Sequence, residues 1–211
     1  DRLHDAEQLA ERVFCTFPSI HQLLPAAGLA QSMDLFDLAN WPRTGPGPDP
    51  RLLEQARALQ ATMPATEPRC IAISGTHQRT VTGLRLAGGE FHYDISGAGD
   101  GTVSLACAQL AGSDNYFVRC EHSELARSAT VARAVLELLR HGRTRRIAAT
   151  PGQRLGRAAT VSDTALRTTW TTKIDWMQLA PAARRDYLNR LNQPPPQYAA
   201  RRAQHRHGTG I

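Results

Sequence analysis

The pattern of apolar and polar positions changes character near residue 64. Before it, apolar residues recur at helical spacing. Leu3, Ala6, Leu9, Ala10 and Val13 predict a helix over 1–13, and Leu52, Leu53, Ala56 and Leu59 predict another over 51–63, between Pro50 and Pro64. Between these two, Pro18 suits the first turn of a short helix that Pro25 closes. An apolar, aromatic run from Asp34 to Pro42 and a Pro/Gly loop to Pro50 follow. Nothing in residues 1–64 has the alternation of a strand, so the segment reads as a helical block.

Beyond it the period shortens. Cys70 to Ser74 is a brief apolar run ended by Gly75, as a buried strand would be. Thr80 to Leu86 and Glu90 to Ile95 predict a small exposed hairpin turning at Gly88-Gly89. Ser104 to Leu110 suits a short helix or irregular turn, and Asn115 to Cys120 a second core strand. From Ser123 to Arg140 one helix is expected, with Leu125, Ala129, Ala132, Val135, Leu136 and Leu139 as its apolar stripe and His141-Gly142 as its end. Strand, loop, strand and helix in this order predict an α/β fold. Residues 143–165 are weakly patterned, Ala165 to Asp175 alternates in part, and Pro181 to Leu191 predicts an amphipathic helix. Pro194-Pro195-Pro196 stops that helix, and the Arg/His-rich end reads as disordered. Three segments result: a helical block (1–64), an α/β core (65–142) and a basic extension (143–211).

Composition sharpens the last boundary. The net charge of +6 divides into 11 arginines against 16 acids over residues 1–139 and 13 arginines and one lysine against three acids over 140–211. The basic character therefore belongs to the extension. Its arginines are scattered and carry no zinc-finger or helix-turn-helix signature, which argues against nucleic acid as the partner and for docking onto the body. No apolar run approaches the ~18 residues of a membrane span, and no signal sequence opens the chain. Asp1 is not an initiator methionine, so upstream residues are expected to have been removed. Cys15, Cys70, Cys107 and Cys120 are far apart and lack any Cys-x-x-Cys, which disfavours zinc. Their even number allows disulfides; buried free thiols are the plainer expectation. The compartment stays open, with the cytoplasm favoured.

Candidate chemistry lies in two loops. Gly97-Ala98-Gly99-Asp100-Gly101-Thr102-Val103 follows a strand-like stretch, and its glycines let the backbone turn sharply around the acid. Glu121-His122-Ser123-Glu124-Leu125 follows the second core strand and opens a helix. A buried carboxylate that holds a histidine in one tautomer is the arrangement that makes a general base for a serine. Gly-Asp-Gly also occurs in plain turns, where the aspartate bonds its own backbone, and a histidine at a strand end is often structural. Asp94, Asp114, Glu121 and Glu124 are weaker candidates for the acid; His21 and His77 have no acid signal beside them.

Together with Phe17-Pro18-Ser19-Ile20-His21-Gln22-Leu23-Leu24-Pro25 and Ile73-Ser74-Gly75-Thr76, these two motifs resemble the later half of lecithin:cholesterol acyltransferase-like α/β-hydrolases, over about residues 14–140. The resemblance implies a helical lid, the last strands of a hydrolase sheet, Asp100 as triad acid and His122 as general base. It also implies an ester or lipid substrate contacted by lid residues such as Phe17, Leu23, Leu24, Leu35, Phe36 and Trp41, and no cofactor or metal. Two departures stand out. Ser104 replaces the family's proline after Gly-Asp-Gly-Thr-Val, and no Gly-x-Ser-x-Gly elbow occurs anywhere in the 211 residues. The serine and oxyanion donors are then expected in an N-terminal part of the fold, in cis or as a separate chain, and this chain alone is expected to be inactive. The alternative is a non-catalytic α/β binding module with a basic tail.

Overall fold

The computed structural model describes residues 10–26, 29, 33–64, 70–152, 156, 158–170 and 178–190. Most of the helix expected over 1–13, Leu191, the proline stop and the Arg/His-rich end lie outside the described residues.

The N-terminal block is helical. A 3-10 turn (Phe14–Thr16) leads into α1 (Pro18–Gln22), and a second 3-10 turn (Leu38–Asn40) precedes α2 (Pro50–Ala61). Extended Phe17 and Pro18 at the first helical position start α1. Asp49 caps α2, its carboxylate accepting from the Arg51 and Leu52 amides at 2.8 and 3.1 Å. Phe36, Leu53 and Ala56 form a small core against which Leu24 packs, and Arg57 pairs with Asp34.

His21 ties the two helices together. It is 2 % exposed; its Nε2 accepts from the Asp49 amide at 3.1 Å, so the proton sits on Nδ1, which donates to the Phe17 carbonyl at 3.1 Å. Replacing it with alanine removes both partners and opens a void. His21→Ala is expected to cost the block about 2 kcal/mol, read as faster amide exchange at Leu53 and Ala56 with the residues around His122 unaffected.

The next segment builds two sheets. β1 (Ile71–Gly75) pairs in parallel with a later strand, while β2 (Thr80–Ala87) and β3 (Glu90–Ser96) form an antiparallel hairpin. Gly88 and Gly89, at φ 61° and 82°, make its turn. α3 (Leu105–Ala108) precedes β4 (Asp114–Val118), the parallel partner of β1, in register from Ile71–Asp114 to Gly75–Val118. Then come α4 (His122–Leu125) and α5 (Ala129–His141). The single helix expected from Ser123 is thus two, because Ser128 leaves the helical path and its hydroxyl accepts from the Val131 amide at 3.4 Å.

α5 covers the parallel pair through a different face from the expected stripe. Ala134 and Leu138 pack with Tyr116 and Ile147, with Ile73 and Val118 alongside. Val135, Leu136 and Leu139 are exposed, Leu139 to 80 %. The helix carries apolar residues on two faces, so spacing alone could not tell which one meets the sheet.

The start of the basic extension is fixed to this body. Phe117 and Ala148 exchange backbone hydrogen bonds of 2.7 and 3.0 Å, and Thr144 and Arg146 both donate to Glu137, holding its carboxyl below the usual range. β5 (Ala159–Ser162) joins β3, so the hairpin is part of a three-stranded sheet. It lies in the weakly patterned stretch because only one of its four residues, Val161, is buried. α6 (Asp163–Trp170), closed by the Asp163–Arg167 pair at 2.7 Å, takes the place of the alternation expected over 165–175 as far as residue 170, the rest lying outside the described residues, and α7 is Pro181–Arg190.

The described chain is a mixed α/β structure with parallel and antiparallel sheets. Among the described residues no helix is long and apolar enough to cross a membrane. The four cysteines are free, but none is fully buried: Cys15 and Cys120 are half-buried and Cys70 and Cys107 exposed, Cys70 because it falls just before β1 instead of inside it.

Candidate functional site

The parallel pair ends where the two motifs meet. β1 finishes at Gly75 and β4 at Val118, and the Thr76 amide donates to the Val118 carbonyl at 2.8 Å, extending the pairing one step. The acid loop arrives from β3 and the histidine loop from β4.

The acid loop is tightly wound. The Ser96 hydroxyl accepts from the Ala98 amide at 3.1 Å, the Leu105 amide donates to Ala98 at 2.9 Å, and the Asp100 amide donates to Val103 at 3.2 Å. Asp100 is 4 % exposed. Its Oδ1 accepts from the Thr102 and Val103 amides at 3.0 and 2.7 Å, a turn made possible by Gly101 at φ 96°. That leaves Oδ2 free to aim outward.

Oδ2 lies 2.8 Å from Nδ1 of His122. The His122 amide also donates to the Asp100 carbonyl at 2.9 Å, so backbone and side chain are both tethered to the same residue. A carboxylate only accepts, so Nδ1 carries a proton, and in the neutral ring the lone pair is then on Nε2. Asp100's side chain is 6 % exposed and that of His122 51 %: the acid is inside and the base opens outward. This is the geometry by which an acid fixes a histidine's tautomer and ring direction and leaves Nε2 able to take a proton.

Two of the other candidate acids are engaged elsewhere. Asp94 accepts from the Thr160 hydroxyl at 2.5 Å and faces Arg85 at 3.5 Å. Glu124 pairs with Arg127 at 3.3 Å. Cys120 lies next to the pair, but burial, followed by the Glu124 charge, pushes its thiol above the ordinary range. Cys15 is pushed up by burial and Glu11. Neither thiol is activated as a nucleophile. Among the described residues no group of three His, Cys, Asp or Glu side chains could hold a metal ion.

The six apolar contacts named from the sequence fall into three sets. Leu35 and Phe36 are buried in the block, and Leu24 packs onto its core, so these three serve the fold. Trp41 donates through its indole nitrogen to the Leu35 carbonyl at 2.8 Å and stacks edge-on against Phe91, 5.5 Å between centroids. Phe17 and Leu23 are exposed, together with Phe14 and Ile20. A cavity of about 460 Å³ opens between the 42–46 loop, the hairpin and α6; Asp100 and His122 are not in its lining.

Sequence reasoning marked Gly75 only as a strand end and gave neither it, Thr80 nor His77 a role in seating the acid. Gly75 admits both loops: a Cβ there would sit 2.5 Å from the Cys120 carbonyl oxygen and 2.6 Å from the Asp100 Cβ. Thr80, fully buried, reaches Gly101. His77 has φ 65°, uncommon for a residue with a side chain, and its Nδ1 is 2.8 Å from the Thr76 hydroxyl. The one available signal was the run Gly75-Thr76-His77 directly after a strand. No family model, curated protein or solved structure matches the chain.

Proposed function

We propose that the chain is the C-terminal part of a serine ester hydrolase or acyltransferase of α/β-hydrolase type, acting on lipid or other acyl esters. The single observation that carries this reading is the buried Asp100 carboxylate, 2.8 Å from Nδ1 of a half-exposed His122, beyond the carboxyl ends of two parallel strands. Binding clefts of open α/β sheets lie at that end of the strands.

In the proposed reaction, His122 Nε2 takes the proton of a serine hydroxyl as its oxygen attacks the ester carbonyl. The imidazolium is stabilised by Asp100 and returns the proton to the leaving alcohol. Water or a second alcohol then accepts the acyl group by the reverse transfer; the choice between them separates hydrolase from acyltransferase. The serine and its oxyanion donors come from residues upstream of this chain, since the chain has no Gly-x-Ser-x-Gly. The exposed Phe14, Phe17, Ile20 and Leu23 of residues 14–64, the proposed lid, offer apolar surface for an acyl chain.

The isolated 211 residues are therefore expected not to hydrolyse p-nitrophenyl esters, whereas a protein extended by its upstream, serine-bearing part turns them over and loses that activity on His122→Ala. Turnover by the isolated chain that disappears in His122→Ala overturns the upstream nucleophile. An extended protein that carries the elbow and yet is inactive favours the non-catalytic binding module.

A further inference from the structure

Asp100 does not hold its own position. Its loop is laced along Gly97–Gly101 to the turn between β1 and β2. The His77 amide donates to the Gly97 carbonyl at 2.8 Å and the Gln78 amide to the Gly99 carbonyl at 3.1 Å. The third tie is a side chain. Thr80 Oγ1 accepts from the Gly101 amide at 2.9 Å and donates to the Gln78 carbonyl at 2.9 Å. Thr80 has 0 % exposure, so no water can substitute for that oxygen. The threonine also fills the space that a side chain at residue 99 would take: a Cβ on Gly99 would lie 2.6 Å from both Thr80 Cγ2 and Oγ1.

From these contacts we infer that Thr80 is a positioning residue for the acid–histidine pair, acting through Gly101 on the carboxylate of Asp100. The inference rests on the reading of Asp100 and His122 as acid and base. The Gly101 amide immediately follows Asp100, and the next two amides bind Oδ1. Fixing the Gly101 peptide therefore fixes the plane in which the carboxylate lies, and with it the direction of Oδ2. A buried amide deprived of its acceptor finds relief only by rotating its peptide. Rotation at Gly101 turns Oδ2 away from His122.

The test uses the full chain and the Nδ1 proton of His122, which gives a low-field, slowly exchanging NMR signal when it is held by a carboxylate. Wild type is expected to show the signal, and Asp100→Asn to lack it. Thr80→Val, which keeps the shape and removes the acceptor, is expected to lose the signal and to exchange the Gly101 amide about tenfold faster. Thr80→Ser, which restores the oxygen without the methyl, is expected to recover both. A purely structural role would move overall stability in the valine variant and leave the His122 signal in place, and that result overturns the inference. If the valine variant does not fold, Thr80→Ala is read in its place; failure of both to fold makes Thr80 a folding residue and likewise overturns it. A wild-type chain with no Asp100-dependent signal overturns the acid–base reading itself, a separate failure.

Discussion

Asp100→Asn should leave the loop intact and disable the base. Asparagine's carbonyl oxygen can still accept from the Thr102 and Val103 amides, now at 3.0 and 2.7 Å from Oδ1. Its amide group then faces His122 where Oδ2 stood 2.8 Å away. An NH2 group donates, so Nδ1 must accept and the ring proton moves to Nε2, the atom required to take a proton from serine. In the extended enzyme proposed above, this tautomer reversal is expected to lower kcat by about 10⁴-fold, with little change in KM. The isolated chain should show the same event as loss of the His122 low-field signal without loss of stability. Asp100→Ala separates the two roles: it removes the acceptor for both amides as well, so it should also destabilise the loop. Equal stability of the asparagine and alanine variants, or an asparagine enzyme of near wild-type activity, sinks the assignment.

How much of this was legible in the sequence depends on how local the cause is. Asp100 and His122 could be found because each sits in a short motif whose glycines and strand end are adjacent to it. The brace could not: Thr80 is 21 residues from Gly101, inside a strand, and its hydroxyl is one of many in a Thr-rich chain. α5 shows another limit. Its sequence offers two apolar faces, and the fold uses Ala134 and Leu138 because those face Tyr116 and Ile147, the latter supplied by the chain beyond the helix. Ile147 belongs to an Arg- and Ala-rich stretch with no period of its own, so neither partner revealed the other. β5 has the same cause: a four-residue strand with one buried side chain leaves almost no periodic trace. In the N-terminal block, helical spacing found α2, but it could not separate residues that pack the block, Leu35 and Phe36, from residues left outside, Phe17 and Leu23. Apolar spacing reports burial against something; what that something is depends on the tertiary fold.

Gly75→Ala is expected to be strongly damaging although it adds a single methyl. The residue ends β1 and needs no left-handed backbone, so only space is at issue. The added Cβ would lie 2.5 Å from the Cys120 carbonyl oxygen and 2.6 Å from the Asp100 Cβ. Neither atom is the far end of a flexible side chain: one is backbone, the other is one bond from it. Relief therefore requires the two loops to part. They are joined by the Asp100 carbonyl to His122 amide bond and by the Asp100–His122 side-chain bond, and those are the contacts that parting breaks. A loss of about 3 kcal/mol is expected, or about 6–12 °C in Tm for a chain of this size. Gly47→Ala, with nothing within 4 Å of the new methyl, serves as the control and should stay within about 0.5 kcal/mol of wild type. The diagnostic result is the coupling: in Gly75→Ala the His122 signal should weaken even at temperatures where the chain is folded. A Gly75→Ala protein as stable as the control, with the His122 signal intact, means that the ends of β1 and β4 do not clamp the acid and the base together.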